Sequence, residues 1–191
     1  MAPCNTAVYT AINALQRVPA LMLDDGTVIA ESIAICRYFE VLNPSPPMFG
    51  TDAVEQAVVE MWNRRIEHHL FFPVSQVFRH LHPAMKDFEV PQLAAWGEVN
   101  KPRVAAFLPI LDRRLEASPF VGGVDYSVAD ITALVAVDFM KPGEARGAAR
   151  ASQHRKVACR SLGAAQRKGI GCKRELSSHC IGLWNSRLRL G

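Results

Sequence analysis

The sequence lacks the features that mark membrane, secreted and metal-binding proteins. No stretch of its 191 residues approaches the roughly 18 uninterrupted apolar residues of a membrane span. The first residues also lack the charged-then-apolar run of a secretory signal. The five cysteines are scattered and odd in number, which argues against a disulfide framework and a zinc site. We therefore expect a cytoplasmic protein with no bound metal and no membrane contact.

The net charge of +4 hides an uneven distribution along the chain. Residues 142–191 contain 11 of the 22 Lys and Arg but 2 of the 18 Asp and Glu, so this tail carries +9 and the preceding residues carry −5. Its composition predicts disorder. A nucleic-acid-binding arm is the alternative, but only Trp184 offers an aromatic ring for base stacking. We do not expect a nucleic-acid partner.

The segment from Leu15 to Phe39, LQRVPALMLDDGTVIAESIAICRYF, carries the strongest functional pattern. Val18-Pro19 precedes a short apolar strand. Because X-Pro is the peptide bond with ready access to the cis form, we expect a cis bond that turns the Val18 backbone outward. That backbone could then pair with an extended peptide. Asp25-Gly26 supplies a tight turn into a second strand.

Glu31-Ser32 follows the second strand and precedes an amphipathic helix. The free N–H groups and the dipole at a helix start favour an anionic group. Ser32 can donate to a carboxylate while Glu31 attracts an ammonium, so the pair suits an amino-acid head group. Each piece alone is ordinary, since X-Pro is common in loops and Glu-Ser is a usual helix start. The specificity lies in their combined order and spacing.

The middle of the chain reads as helical. Asp52 and Glu55 open a helix whose apolar stripe continues to Leu70, and Pro73 is predicted to kink or interrupt it. A second helix is predicted from about Gln92 to Glu116, with local distortion where two prolines fall inside it.

Ser127 and Asp130 form a capping box at the start of a third helix, so we assign Asp130 a structural role and no catalysis. The histidines near the first helix have no carboxylate or cysteine at metal-ligand spacing. We expect them to be packed or solvated.

These motifs resemble the cytosolic glutathione S-transferase family, in its bacterial type. The resemblance rests on VPAL, on the acidic-Ser pair and on PFVGGVDYSVADITAL, and it covers about residues 12–141. It implies an α+β fold, with a partial thioredoxin-like domain over residues 1–43, a linker over 44–50 and an all-helical domain over 51–141. Residues 142–191 form an atypical basic tail.

The resemblance also implies a binding site for glutathione, as a substrate. Val18, held by the cis Pro19, would bond the cysteinyl backbone, and Glu31 and Ser32 would hold the γ-glutamyl end. Arg17 is a weaker assignment, to the glycyl carboxylate. The implied reaction conjugates the glutathione thiolate to a hydrophobic electrophile in a homodimer.

The residues bordering the electrophile cleft are inferred from position alone. They are Trp62, Arg65, His69 and Phe72.

Both ends depart from the family pattern. Such enzymes begin with a strand and helix that bring a catalytic Ser, Tyr or Cys to the glutathione sulfur. Here the binding block starts at Leu15, which predicts an N-terminally truncated domain. Cys4, Thr6, Tyr9 and Thr10 are the early candidates, and no pattern places any of them on the required turn. We predict no catalytic residue and impaired activity. The alternative is a non-catalytic fragment that binds glutathione or only dimerises.

The tail departs from the family in a way that a shifted reading frame would explain. With permitted codons, a one-nucleotide shift over Gln153 to Gly171 allows SIARWHAAASARPSARA followed by a stop. That text is close to what the family would supply. We therefore predict a frame-shifted origin, which the coding DNA would test.

Overall fold

A computed structural model describes residues 6–140 as two compact units, which divide between Phe49 and Gly50. The α+β fold class predicted from the sequence is confirmed, with a small two-stranded sheet among helices. The division lies at the end of the segment that was predicted to be a linker. The elements are α1 (Ala7–Ile12), β1 (Ala20–Met22), β2 (Val28–Ala30), α2 (Ser32–Leu42), α3 (Ala53–Ile66), α4 (Phe72–Leu81), α5 (Ala94–Ala117) and α6 (Val128–Phe139).

The first unit is built around the antiparallel pair of β1 and β2. The turn between them is closed by the Gly26 N–H, which donates to the Leu23 carbonyl at 2.9 Å. The Thr27 N–H donates to Asp25 Oδ1 at 2.8 Å. Gly26 has a φ of +85°, a conformation that glycine adopts without steric cost. The turn predicted from Asp25-Gly26 is therefore present, and its hydrogen bonds are local in sequence.

Few side chains are buried in the first unit. Among the residues that the structure describes there, Phe49 is the only buried hydrophobic one. The Arg37 guanidinium lies 4.5 Å from the centre of its ring. The Glu40 carboxylate accepts hydrogen bonds from the N–H groups of Met48, at 2.7 Å, and Phe49, at 3.2 Å. These contacts fix the end of the unit to α2.

The second unit begins with the predicted helix start. Asp52 Oδ1 accepts hydrogen bonds from the N–H groups of Val54, at 2.8 Å, and Glu55, at 2.9 Å, so it caps α3. A π-helical turn over Glu67–Phe71 follows α3 and leads into α4, in whose first turn Pro73 lies. The interruption predicted at Pro73 is thus the π-helical turn that precedes it. Pro73 itself lies in the first turn of α4, where proline is tolerated.

The long helix α5 runs unbroken through Pro102 and Pro109, two residues that were predicted to distort it. It packs closely on α4, since a Cβ added to Gly97 would lie 2.6 Å from Leu81 Cγ. The core of this unit contains side chains with almost no exposure to solvent. They are Ile66, Leu70, Leu111, Leu115 and Val121.

Asp130 ties the start of α6 to the preceding loop. Its Oδ1 accepts from the Val121 N–H at 2.8 Å. Its Oδ2 accepts from the Ser127 N–H at 3.0 Å and the Ser127 hydroxyl at 2.9 Å, which is the predicted capping box. Burial raises the pKa of Asp130 above its ordinary value of 3.8, and the three hydrogen bonds oppose that shift. The role of this carboxyl is structural.

Within residues 6–140, no helix combines the length and the apolar character that a membrane span requires. The predictions made for Cys4 and for the basic tail over 142–191 concern positions outside the described residues.

Candidate functional site

The hairpin brings the two predicted binding motifs together. Ala20 pairs with Ala30, so the residues just before β1 and those just after β2 lie at the same end of the strand pair. Val18-Pro19 stands before β1, and its peptide bond is cis, as the sequence predicted. Glu31-Ser32 stands directly after β2. Two motifs that are twelve positions apart in sequence therefore become neighbours through strand pairing.

Helix α1 holds the segment that leads into the cis bond. The Arg17 carbonyl accepts hydrogen bonds from Tyr9 Oη and from Asn13 Nδ2, both at 2.7 Å. Asn13 is buried, and Val18, the next residue after Arg17, is 64% exposed. The arrangement anchors the backbone on one side of the motif and leaves Val18 open to solvent. Tyr9 and Asn13 were not assigned this positioning role from the sequence, because the pattern in the chain gives no sign of it.

Glu31 has an unusual backbone conformation, with φ 70° and ψ 123°. A positive φ at a non-glycine residue costs on the order of 1–3 kcal/mol and persists where the surroundings enforce it. Glu31 is the N-cap of α2, yet its side chain makes no capping hydrogen bond, and both Glu31 and Ser32 are exposed. The helix start therefore presents a carboxylate, a hydroxyl and its N–H groups to solvent. Strain at an exposed polar pair is typical of ligand-binding positions.

A pocket of about 790 Å³ lies within the second unit, between the end of α3, the start of α4 and the middle of α5. Its apolar lining consists of Phe72, Pro73, Ala106, Phe107 and Ile110. Its size is that of a small-molecule site, for which volumes of roughly 300–1,000 Å³ are usual. The volume falls within that range, and most of the lining residues are exposed at the surface of the unit.

The polar lining of the same pocket is cationic or neutral and comes from Arg65, His68, His69 and Arg103. His69 stacks on Phe107, with 6.1 Å between ring centres. Three of the four residues predicted to border an electrophile cleft line this pocket, namely Arg65, His69 and Phe72.

Trp62, the fourth predicted cleft neighbour, does not line this pocket. It is 7% exposed and belongs to the core, with the Arg65 guanidinium 5.0 Å from its ring centre. The Trp62 side chain turns inward because it falls on the buried stripe of α3, together with Val59 and Ile66.

Known proteins with a related sequence and fold identify the family. A family model described as the glutathione S-transferase N-terminal domain matches residues 3–42. Glutathione S-transferase 2 of Saccharomyces cerevisiae is 36% identical over 132 residues, which cover 69% of this chain and 57% of the yeast protein. A class Gtt2 glutathione S-transferase of Vibrio parahaemolyticus has a solved structure that is 32% identical, with a TM-score of 0.70, over 87% of this chain and 76% of that one. The chain belongs to the glutathione S-transferase family.

A second solved structure supports the assignment to the glutathione S-transferase family. It is a glutathione S-transferase domain-containing protein of Marinobacter aquaeolei, 30% identical with a TM-score of 0.73, matched over 87% of this chain and 80% of that one. The chain spans little more than half the length of the yeast relative. The family predicted from VPAL, the acidic-Ser pair and the capping-box stretch is thus confirmed.

Three early candidates for the glutathione S-transferase nucleophile-activating group make local hydrogen bonds in this structure. The Thr6 side chain accepts from the Tyr9 N–H at 3.2 Å and caps α1. Thr10 Oγ1 donates to the Thr6 carbonyl at 2.9 Å and accepts from Gln16 Nε2 at 3.2 Å. Tyr9 Oη donates to Arg17, as described above. These bonds give each hydroxyl a role in shaping α1 and the following loop.

His80 and His82, the two described histidines outside the pocket, take part in packing and hydrogen bonding. His80 is buried, and its Nδ1 accepts from the Leu93 N–H at 3.1 Å, which joins α4 to the segment before α5. His82 Nδ1 accepts from the Ala84 N–H at 3.2 Å. Over residues 6–140, no three side chains of His, Cys, Asp or Glu come together as metal ligands would.

Several pocket residues were missed by the sequence reasoning. They are His68, Pro73, Arg103, Ala106, Phe107 and Ile110. A signal was present, because 65, 68, 69 and 72 are spaced as one helix face, and 103, 106, 107 and 110 repeat the same spacing. The sequence does not indicate that the face of residues 65–72 and the face of residues 103–110 line the same pocket.

Proposed function

We propose that this chain is a glutathione transferase that binds glutathione on its first unit and conjugates the thiolate to a hydrophobic electrophile. The observation that carries the proposal is the strained, exposed Glu31 with Ser32 at the start of α2. Membership of the family and the neighbouring Val18-Pro19 support it. The positive φ of Glu31 occurs at the position that was predicted to bind the amino-acid head group of glutathione.

Each proposed contact follows from the chemistry of the group. The Val18 N–H and C=O would pair with the cysteinyl backbone as an added strand does. Glu31 would accept from the γ-glutamyl ammonium, and Ser32 with the N–H groups of α2 would donate to the adjacent carboxylate. Arg17 would contact the glycyl carboxylate. Pro19 orients the chain at Val18.

Glutathione titration by calorimetry tests this assignment. We expect Glu31→Gln and Ser32→Ala each to weaken binding about tenfold, since each removes a hydrogen bond to a charged group. Asp24→Asn is the matched control, because it removes the same charge from the exposed turn at the opposite end of the hairpin. An affinity that Glu31→Gln and Ser32→Ala leave unchanged would exclude the site, and so would a parent protein that does not bind glutathione.

The second substrate is proposed to be a hydrophobic electrophile, as membership of the family implies. We assign no catalytic residue to thiol activation. An assay with glutathione and an aryl halide separates the two functional candidates, because binding together with turnover supports the transferase. Binding without turnover supports a non-catalytic glutathione-binding or dimerising chain.

We further propose that the protein is a cytoplasmic homodimer, with glutathione as its substrate and with no bound metal. These properties are inferred from the family. Light scattering coupled to gel filtration measures the assembly, and a mass equal to that of one chain at micromolar concentration would contradict the dimer.

A further inference from the structure

Helix α1 and the loop after it fix the direction of one peptide group in the first unit. The Arg17 carbonyl accepts two hydrogen bonds of 2.7 Å, one from Tyr9 Oη and one from Asn13 Nδ2. The peptide bond between Arg17 and Val18 is trans, and the N–H of a planar trans peptide points away from its C=O. The two bonds to the carbonyl therefore also set the direction of the Val18 N–H.

The amide of Asn13 is itself held in one orientation. Its Oδ1 accepts from the Leu15 N–H at 3.1 Å, so its Nδ2 is the atom that donates to Arg17. The Asn13 carbonyl accepts from the Gln16 N–H at 2.9 Å. Gln16 has a φ of +54°, a conformation that persists where surrounding contacts enforce it. Asn13 is buried, so it closes this loop from the protein side and directs its donor to one carbonyl.

The Val18 N–H is open to a ligand. Within residues 6–140 it makes no hydrogen bond, and Val18 is 64% exposed. Hydrogen bonds accepted by a carbonyl polarise its peptide group and strengthen the N–H of that group as a donor. A donor that is already oriented also loses less freedom when a ligand binds. The Val18 N–H is thus preorganised for an acceptor such as a peptide carbonyl.

We propose that Tyr9 and Asn13 are positioning residues for glutathione, which act through the Arg17 carbonyl to hold the Val18 N–H for the cysteinyl carbonyl of the ligand. The inference rests on the proposed function, because it takes glutathione as the ligand and Val18 as its backbone partner. Neither side chain has to touch glutathione to act in this way. Their loss should therefore weaken glutathione binding and leave the chemical step unchanged.

Glutathione titration by calorimetry tests the inference with two substitutions. Tyr9→Phe removes one donor and keeps the ring. Asn13→Asp keeps the size of the side chain but turns a carboxylate oxygen towards the Arg17 carbonyl. We expect Tyr9→Phe to weaken binding about fivefold and Asn13→Asp to weaken it about tenfold. If Asn13→Asp fails to fold, Tyr9→Phe decides by itself.

Tyr38→Phe and Asn43→Asp are the matched controls. Tyr38 lies in the second half of α2 and Asn43 directly follows that helix, so the same chemical changes are made elsewhere in the first unit. Both controls should leave the affinity for glutathione nearly unchanged. Control losses as large as those of Tyr9→Phe and Asn13→Asp would overturn the inference.

Other measurements separate positioning from a purely structural role. Chemical denaturation gives the stability of each variant, and a loss of stability in Tyr9→Phe with the affinity of the parent would overturn the inference. By NMR, the Val18 amide proton should shift when glutathione is added to the parent, and it should shift less in Tyr9→Phe. In the transferase assay, Tyr9→Phe should raise the KM for glutathione about fivefold and leave kcat nearly unchanged. A lower kcat with an unchanged KM would contradict positioning.

The titration of the parent protein separates this inference from the proposed function. If the parent does not bind glutathione, both fail. If the parent binds glutathione and Tyr9→Phe binds it equally well, the proposed function stands and the positioning role fails.

Discussion

The two units of this chain differ in the contacts that stabilise each of them internally. In the first, over residues 6–49, the described contacts are mostly local hydrogen bonds, such as those of the β1–β2 turn and those that hold the Arg17 carbonyl. In the second, over residues 50–140, helices enclose a core whose central side chains are excluded from solvent. The hydrogen bond from Thr132 Oγ1 to Asn63 Oδ1, at 2.7 Å, joins residues 69 positions apart.

This difference matches the proposed roles of the units. The first unit exposes Val18 and the strained Glu31, and such positions contribute little to stability. The second unit contains the packed core and an open pocket on its surface. Stability and glutathione recognition would therefore respond to different substitutions.

Truncation of a core leucine should give the largest effect. Leu111 has 0% of its surface exposed, whereas Met22 in the first unit is 61% exposed. We expect Leu111→Ala to lower the free energy of unfolding by about 2–5 kcal/mol, through lost burial and a residual cavity. Met22→Ala should change it by less than about 0.5 kcal/mol. Chemical denaturation measures both, and similar losses for the two variants would contradict the comparison.

Loss of the Asp130 carboxylate should rank second. Asp130→Asn keeps one acceptor oxygen but turns an amide NH₂ towards the N–H or hydroxyl of Ser127. We expect a loss of about 2–3 kcal/mol, because buried donors are left without an acceptor. Asp24→Asn, on the exposed hairpin turn, is the control and should be close to neutral. A loss below about 0.5 kcal/mol for Asp130→Asn would show that the capping box does not stabilise the unit.

Two glycines should be sensitive to alanine for different reasons. Gly26 has a φ of +85° and open space around it, so Gly26→Ala should cost about 1 kcal/mol through backbone conformation alone. In Gly97→Ala the new Cβ would meet Leu81, and we expect a loss of about 1–2 kcal/mol despite alanine's better helix propensity. Combining Gly97→Ala with Leu81→Ala tests the steric cause. The two losses should then be less than additive, and strict additivity would refute that cause.

The pH dependence of two aspartates should have opposite signs and the smallest effect. The Thr27 backbone N–H lowers the pKa of Asp25 below its ordinary value of 3.8, so its contribution to stability is present above that value and is lost as pH falls through the folded pKa. Burial raises the pKa of Asp130, so the folded state keeps a proton that the unfolded state releases above pH 3.8. Its contribution therefore falls as pH rises through that window. NMR titration of both carboxyls measures this, and two pKa values on the same side of 3.8 would contradict it.

Much of the local structure could be predicted because its signals are short in sequence. Asp25-Gly26 specified a turn that needs a positive φ, Asp52 specified a cap with donors two and three residues ahead, and Ser127 with Asp130 specified a capping box. Each of these depends on atoms within a few residues. The predicted placement of Arg17, Val18, Pro19, Glu31 and Ser32 around one binding site stays a prediction that the titrations above test.

Other features could not be predicted from the sequence because they depend on how the helices pack against one another. The two helix faces that line the pocket are one example, because their meeting depends on how α5 packs against the α3–α4 segment. The inward direction of Trp62 is another, because it depends on the rotation of α3 about its own axis. The strain at Glu31 is a third, because nothing in the residue type announces a positive φ.

By itself, the sequence determined the hairpin, the helix starts, the family and the order of the motifs, because propensity, turn chemistry and capping act over a few bonds. Only the tertiary structure decided that Tyr9 and Asn13 hold the Arg17 carbonyl, and that residues of α3, α4 and α5 line the same pocket. The physical reason is that strand register and helix packing bring together groups whose separation along the chain carries no information about their distance in space.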